Sequence, residues 1–231
     1  MGRRSSSPSV KRAAVSAAVA PASSPSPPPA NPIIAILTFT VKNLAFPLLL
    51  CFIESKYLPT YVPFLSKPSK VLQLPRGFGL VILINVFGTA FFTVVLGFAV
   101  GSARSKHIAA ATKDGDKDAE ARYSYPKMYA EGFSDHARSF NCVQRSHQHT
   151  LETYPHVLAL SLIGGLSQPV TTALAGALWI VARHKWARGY QTGDPKNRYE
   201  RSDGWGRHIW TALLALCVTC VVTGVRCVLA F

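Results

Sequence analysis

Apolar residues along the chain fall into long runs separated by polar, basic stretches, and neither a strand alternation nor a surface-helix period dominates. Phe78 to Gly101 reads FGLVILINVFGTAFFTVVLGFAVG, twenty-four residues without a charge. As a helix it would be about 36 Å long at ~1.5 Å per residue, which predicts a transmembrane span. A second run begins near Tyr154 and ends by Gly165. Alone it falls short of the roughly twenty residues a span needs, so its helix is expected to start among the polar residues 141–153. The third run, Val170 to Val181, continues through RHKWARGY, and the fourth, Ile209 to Phe231, is apolar except for Arg226. Four helices over 77–231 predict an all-α fold, an integral membrane four-helix bundle.

Two segments precede this bundle. Residues 33–53, IIAILTFTVKNLAFPLLLCFI, have the length of a span, but Lys42 and Pro47 fall near the middle. A charge there costs about 2.5–3.5 kcal/mol on insertion scales, so a span and an interfacial segment both remain open. The hydrophobic extension 31–76 thus has room for a further helix. The first thirty residues contain no acid and almost no large apolar side chain, and are expected to form a disordered basic tail or an organelle targeting segment.

Composition sharpens the picture. A formal charge of +14 accompanies 48% hydrophobic and only 16% charged residues among 231, a pairing that points to a membrane. Nucleic-acid binding would call for basic stripes interleaved with aromatics, and none occurs. Residues 1–77 hold nine Lys/Arg against Glu54 alone, and 102–140 and 183–208 carry seven Lys/Arg each, whereas 164–172 carry none. Basic short loops face the cytosol, which places both polar loops there, although Lys67, Lys70 and Arg76 argue for the opposite orientation. The five cysteines are odd in number and mostly lie in or beside apolar runs, which disfavours a secreted disulfide scaffold. Cys217 and Cys220 read as small packing residues in an apolar helix. His147 and His149, two apart, fall on different helix faces, so no metal site is expected.

Arg145, His149 and Glu152 stand at i, i+4 and i+7 and share one face of the polar start of the second core helix. Ionisable groups at membrane depth are costly and usually functional. One reading is a membrane-surface helix end whose Arg and Glu pair with each other. The other is a pocket for a small peptide, in which the guanidinium takes a carboxylate by two parallel hydrogen bonds and the carboxylate takes an ammonium. On the same side, the third helix and the loop after it supply Arg183, Trp186, Arg188, Tyr190 and Arg198, and the first helix ends at Arg104. Arg183, Arg188 and Trp186 are expected to be snorkelling anchors and an aromatic belt.

FNCVQRSHQHTLETYP (140–155) and ARGYQTGDPKNR (187–198) together resemble the MAPEG family, the membrane-associated proteins of eicosanoid and glutathione metabolism, and within it most closely the microsomal glutathione S-transferase 3 branch. The resemblance covers roughly 77–231. It implies a MAPEG-like homotrimer of four-helix subunits, with glutathione as co-substrate bound between neighbouring subunits near the cytosolic face, and no metal. Arg104, Arg145, His149, Glu152 and Tyr190 fall at or beside positions that grip the tripeptide. Arg198 falls, after a one-residue shift with Arg201 as fallback, where the family places an arginine that stabilises the thiolate.

The implied activity is membrane-bound glutathione transfer to lipophilic electrophiles, reduction of lipid hydroperoxides, or leukotriene C4 synthase-like chemistry, in detoxification or lipid metabolism. The expected setting is the endoplasmic reticulum, with a plastid or mitochondrial membrane as the alternative. A non-enzymatic lipid-binding or scaffold protein of the same fold is the other functional reading. Three positions depart from the pattern: His149 replaces Asn, Trp186 replaces Tyr, and Ser105 follows Arg104 where some relatives carry a second base.

Overall fold

The computed structural model describes residues 32–229. The expected tail or targeting segment at 1–30 lies outside them. The fold is all-α, with five long helices among the described residues: α1 (Pro32–Tyr61), α2 (Phe78–Lys113), α3 (Asp135–Gly164), α4 (Pro169–Tyr190) and α5 (His208–Leu229). Helices α2 to α5 run up and down as an antiparallel bundle, in which α3 packs against α2, α4 and α5, and α4 packs against α5. Of the described helices, α1, α2 and the stretch Trp205–Leu229 are long and apolar enough to cross a membrane by length and composition. Helices α3 and α4 fall short of that measure because one begins and the other ends in polar side chains.

Helix α3 begins at Asp135, earlier than the expected start among 141–153. Ser134 explains the difference: its Oγ accepts the Ala137 backbone N–H at 3.1 Å and caps the helix, with Asp135 in the first turn. Two additional turns of polar helix are therefore presented at the loop end.

The bundle core combines large and small side chains. Phe92, Trp179 and Leu216 interlock with Ala182, Ala187, Ala212 and Ala215, and the small residues allow close helix approach where lipid gives no hydrophobic driving force. Deeper in the bundle, α2 opens into wide π-type turns over Val81–Gly88. Asn85, fully buried there, donates to Ser161 Oγ at 2.8 Å and to the Thr172 carbonyl at 2.9 Å, tying α2 to α3 and α4. Gly176 lies against this amide, with no room for a Cβ beside it.

Residues 32–61 form a thirty-residue helix, with Lys42 exposed and Pro47 and Pro59 within it. It rests on α5 and on the start of α4. The contact centres on Glu54, which is 7% exposed and whose two carboxylate oxygens accept the backbone N–H groups of Val170 and Thr171 at 2.8 and 2.7 Å. A carboxylate at a helix N-terminus satisfies orphan donors and complements the dipole. Arg226 donates to Ser55 Oγ beside it. Helix α1 thus ends at the end of the bundle opposite the polar loops and runs parallel to α5.

The Gly176 contact has a measurable consequence. Gly176→Ala is expected to lower stability in detergent by about 1–3 kcal/mol through overpacking, and adding Asn85→Ala is expected to restore part of that loss by making space for the methyl. Unchanged thermal midpoints for Gly176→Ala would contradict the close approach.

Candidate functional site

At the loop end of the bundle, four parts of the chain converge: the first turns of α3, the last turns of α4, and the segments 114–134 and 191–207. The sequence builds this convergence in specific ways. At Gly189 the backbone of Asn197 and Arg198 comes so close that a Cβ would overlap it. Gly193 takes φ +91, a left-handed turn that suits glycine. Asp194 Oδ1 accepts the Lys196 N–H at 3.0 Å, and Asn197 Nδ2 donates to Thr192 Oγ1 at 2.7 Å. The GYQTGDPKN stretch is therefore a tight return that brings Arg198 back beneath the end of α4. The Arg198 guanidinium lies 5.7 Å from the Tyr190 ring centre and 5.0 Å from that of Tyr199, and donates to the Pro195 carbonyl at 2.5 Å. Arg201 is exposed.

On α3, Arg145 and Glu152 meet in a bidentate pair. Nη1 donates to Oε1 at 2.6 Å and Nη2 to Oε2 at 3.2 Å, with side-chain exposures of 35% and 46%. His149, between them, turns to α4. Its Nδ1 lies 2.8 Å from Arg183 Nη1, and its ring centre is 5.0 Å from that of Trp186, which is itself 5.0 Å from that of Tyr190. His147 instead faces α2 at Gly97.

Arg183 and Trp186 correct the expectation of surface anchors. Arg183 is 0% exposed and Trp186 3%, and only Arg188 is exposed. Trp179, Arg183, Trp186 and Tyr190 recur at i, i+4, i+7 and i+11, one inward-facing stripe of α4. That spacing was the signal available in the sequence, masked by the habit of assigning helix-end arginines to the interface.

Beside the Arg145–Glu152 pair lies a cavity of about 420 Å³, within the range of small-molecule sites. Tyr129, Arg138, Asn141, Cys142, Arg145 and Tyr190 are among the residues that line it. Its outer wall is the 126–133 segment, which sequence patterning did not single out. Asn141 holds that wall by accepting the Ala130 N–H at 2.8 Å and donating to the Ala130 carbonyl at 3.0 Å. Tyr129 donates its hydroxyl to Gln148. A second cavity of about 540 Å³ runs between α2 and α4 along Phe91, Phe92, Leu96 and Ile180, with His184, Arg188 and Gln191 among its polar lining. Gln191 also donates to Ser146 Oγ at 3.3 Å.

The structure brings Arg145, His149, Glu152, Tyr190 and Arg198 to one end of α3 and α4. Arg104 is placed differently. It is 5% exposed, donates to the carbonyls of Tyr123 and Lys127, and lies over the rings of Tyr125 and Phe140 at 4.3 and 4.9 Å. It does not line the cavity beside Arg145. Within one chain its guanidinium fastens the 119–131 segment to α2.

The model of the MAPEG family matches residues 82–222, well over half of the chain, and that range contains every residue of this site.

The paired bonds of Asn141 generate a local expectation. Asn141→Ala is expected to raise amide exchange at Ala130 about five- to tenfold, because a hydrogen bond of about 1–1.5 kcal/mol is lost, while the helix cores keep their protection. Unchanged exchange at Ala130 would show that the wall is held by other contacts.

Proposed function

The chain belongs to the MAPEG family, which includes membrane glutathione transferases and related enzymes, and from that premise we propose that it is a membrane glutathione transferase and glutathione-dependent peroxidase acting on lipophilic substrates. The observation that carries this reading is the half-exposed Arg145–Glu152 pair beside a 420 Å³ cavity. An exposed ion pair contributes only about 0–1 kcal/mol, so it opens at little cost. A ligand that supplies both a carboxylate and an ammonium replaces each partner with another of the same charge. Glutathione carries both.

In this proposal one glutathione carboxylate takes the fork of Arg145 and the amine takes Glu152. The ligand lies between neighbouring subunits of the proposed homotrimer, so that its second carboxylate takes an Arg104 from across that contact, which exchanges the Lys127 carbonyl for a charged acceptor. His149 and Tyr190 complete the grip, and the sulfur lies near Arg198. A permanent cation favours the thiolate, which is the nucleophile. The thiol proton passes to solvent, sulfur forms a bond to the electrophilic carbon, and the leaving group departs with its electron pair. With a hydroperoxide, the thiolate attacks the distal oxygen, the O–O bond breaks, and the lipid leaves as an alcohol. A second glutathione then reduces the sulfenic acid to disulfide and water. The apolar cavity between α2 and α4 supports a lipophilic second substrate. The proposal includes a homotrimer, an endoplasmic reticulum setting, and kinship to the microsomal glutathione S-transferase 3 branch.

Arg198→Ala is expected to lower kcat for conjugation of a chloronitroarene about tenfold or more at neutral pH, with little change in KM for glutathione. Loss of the cation raises the bound thiol's pKa, so the variant's rate should approach the wild-type rate as pH rises. Wild-type rates at neutral pH would move the thiolate role to Arg201 or another residue. Glu152→Gln is expected to weaken glutathione binding about tenfold. Absence of detectable binding to the wild-type protein would favour the lipid-binding or scaffold reading.

A further inference from the structure

The face that carries Arg145 and Glu152 also carries His149, and its ring is held from the neighbouring helix. Arg183 Nη1 lies 2.8 Å from His149 Nδ1, and Arg183 Nη2 donates to Thr153 Oγ1 at 3.0 Å. The guanidinium is fully buried and flanked by the rings of Trp179 at 5.3 Å and Trp186 at 5.1 Å. Among the described residues no carboxylate comes within salt-bridge distance of it.

A guanidinium offers only donors and keeps its protons. His149 Nδ1 must therefore present its lone pair, which puts the ring proton on Nε2. Protonation of Nδ1 would set N–H against N–H between two cations at 2.8 Å, so the contact and an imidazolium are mutually exclusive. Trp186, 5.0 Å from the imidazole, closes one side of the ring. Arg183 from α4, Arg198 from the segment after it, and Arg145 and Glu152 from α3 are the charges that reach His149, and Glu152 is itself held by Arg145. Among the described residues Nε2 has no hydrogen-bond partner, and it is not a sealed orphan.

We propose that Arg183 is a positioning residue that locks His149 as the neutral Nε2–H tautomer, making it a fixed donor to a carboxylate or peptide carbonyl of the bound tripeptide. This rests on the glutathione reading above. An imidazole at this position offers one hydrogen bond to the ligand, and Arg183 determines that it is a donated one. The same lock keeps the site's charge constant across the pH range in which a free histidine titrates.

The test is the affinity of the full-length protein in detergent for S-methylglutathione between pH 5.5 and 7.5, a window in which the carboxylates do not titrate appreciably and the capped sulfur has no proton to lose beside Arg198. Wild type and Arg183→Lys, which retains a donor, are expected to give flat profiles, within about twofold. In Arg183→Leu the imidazole loses the contact that excludes a proton from Nδ1 and becomes free to charge on acidification. Binding of the anionic ligand should then tighten about fivefold on acidification through a charge-assisted bond, and adding His149→Asn should abolish that dependence. A wild-type profile that strengthens on acidification, or a flat one in a folded Arg183→Leu protein, overturns the proposal. If Arg183→Leu does not fold, 15N spectra of histidine-labelled wild type decide, with the His149 signals identified by their loss in His149→Asn. A bare Nδ1 and protonated Nε2 down to pH 5.5 support the lock, and protonation at Nδ1 overturns it. If wild type binds no glutathione, the functional reading and the donor role fail together, and the nitrogen spectrum still decides the lock.

Discussion

An unneutralised charge inside the bundle constrains the end where the site lies. Arg183 is 0% exposed, and a buried guanidinium is tolerable only if its donors find acceptors. Its two terminal nitrogens find them on α3, at His149 Nδ1 and Thr153 Oγ1, Nε has none among the described residues, and its faces find Trp179 and Trp186. Meeting these requirements together fixes α4 against α3 both along and around their axes. A shift of one residue would leave the charge without acceptors, at a cost of several kcal/mol. That register places Trp186 and Tyr190 beside the face of α3 that carries Arg145 and Glu152. The Gly189 approach then returns Arg198 to the Tyr190 ring.

At mid-bundle, Asn85 performs a comparable service in neutral form. It joins α2 to α3 and α4 through Ser161 and the Thr172 carbonyl, and Gly176 makes the space. At the far end Glu54 caps α4 from α1, outside the family match. In an apolar setting an unmatched polar group is expensive, so a few matched ones specify helix pairing more sharply than interchangeable apolar contacts.

The sequence displayed the all-α architecture because uninterrupted apolar runs have few alternative structures in a membrane. It displayed the Arg145/His149/Glu152 face because helical spacing is a local property. What it could not display depends on partners distant in the chain. The extent of α3 turned on the Ser134 cap. Arg183 and Trp186 looked like interface residues until α3 was set against them, although their spacing with Trp179 and Tyr190 was visible. Arg104 has the composition of a ligand group, yet its guanidinium holds carbonyls nineteen and twenty-three residues onward, contacts that no helical period encodes. The Ala130 anchor at Asn141 was hidden for the same reason.

In the proposed reaction the Arg145–Glu152 pair opens to exchange partners with a ligand carrying both charges. The most direct measurement compares the affinity of the wild-type protein for glutathione with that for its analogue lacking the amine, and repeats the comparison in Glu152→Gln. Wild type is expected to favour glutathione about tenfold or more, and the preference to collapse toward unity in the variant. Equal affinities in the wild-type protein would contradict it.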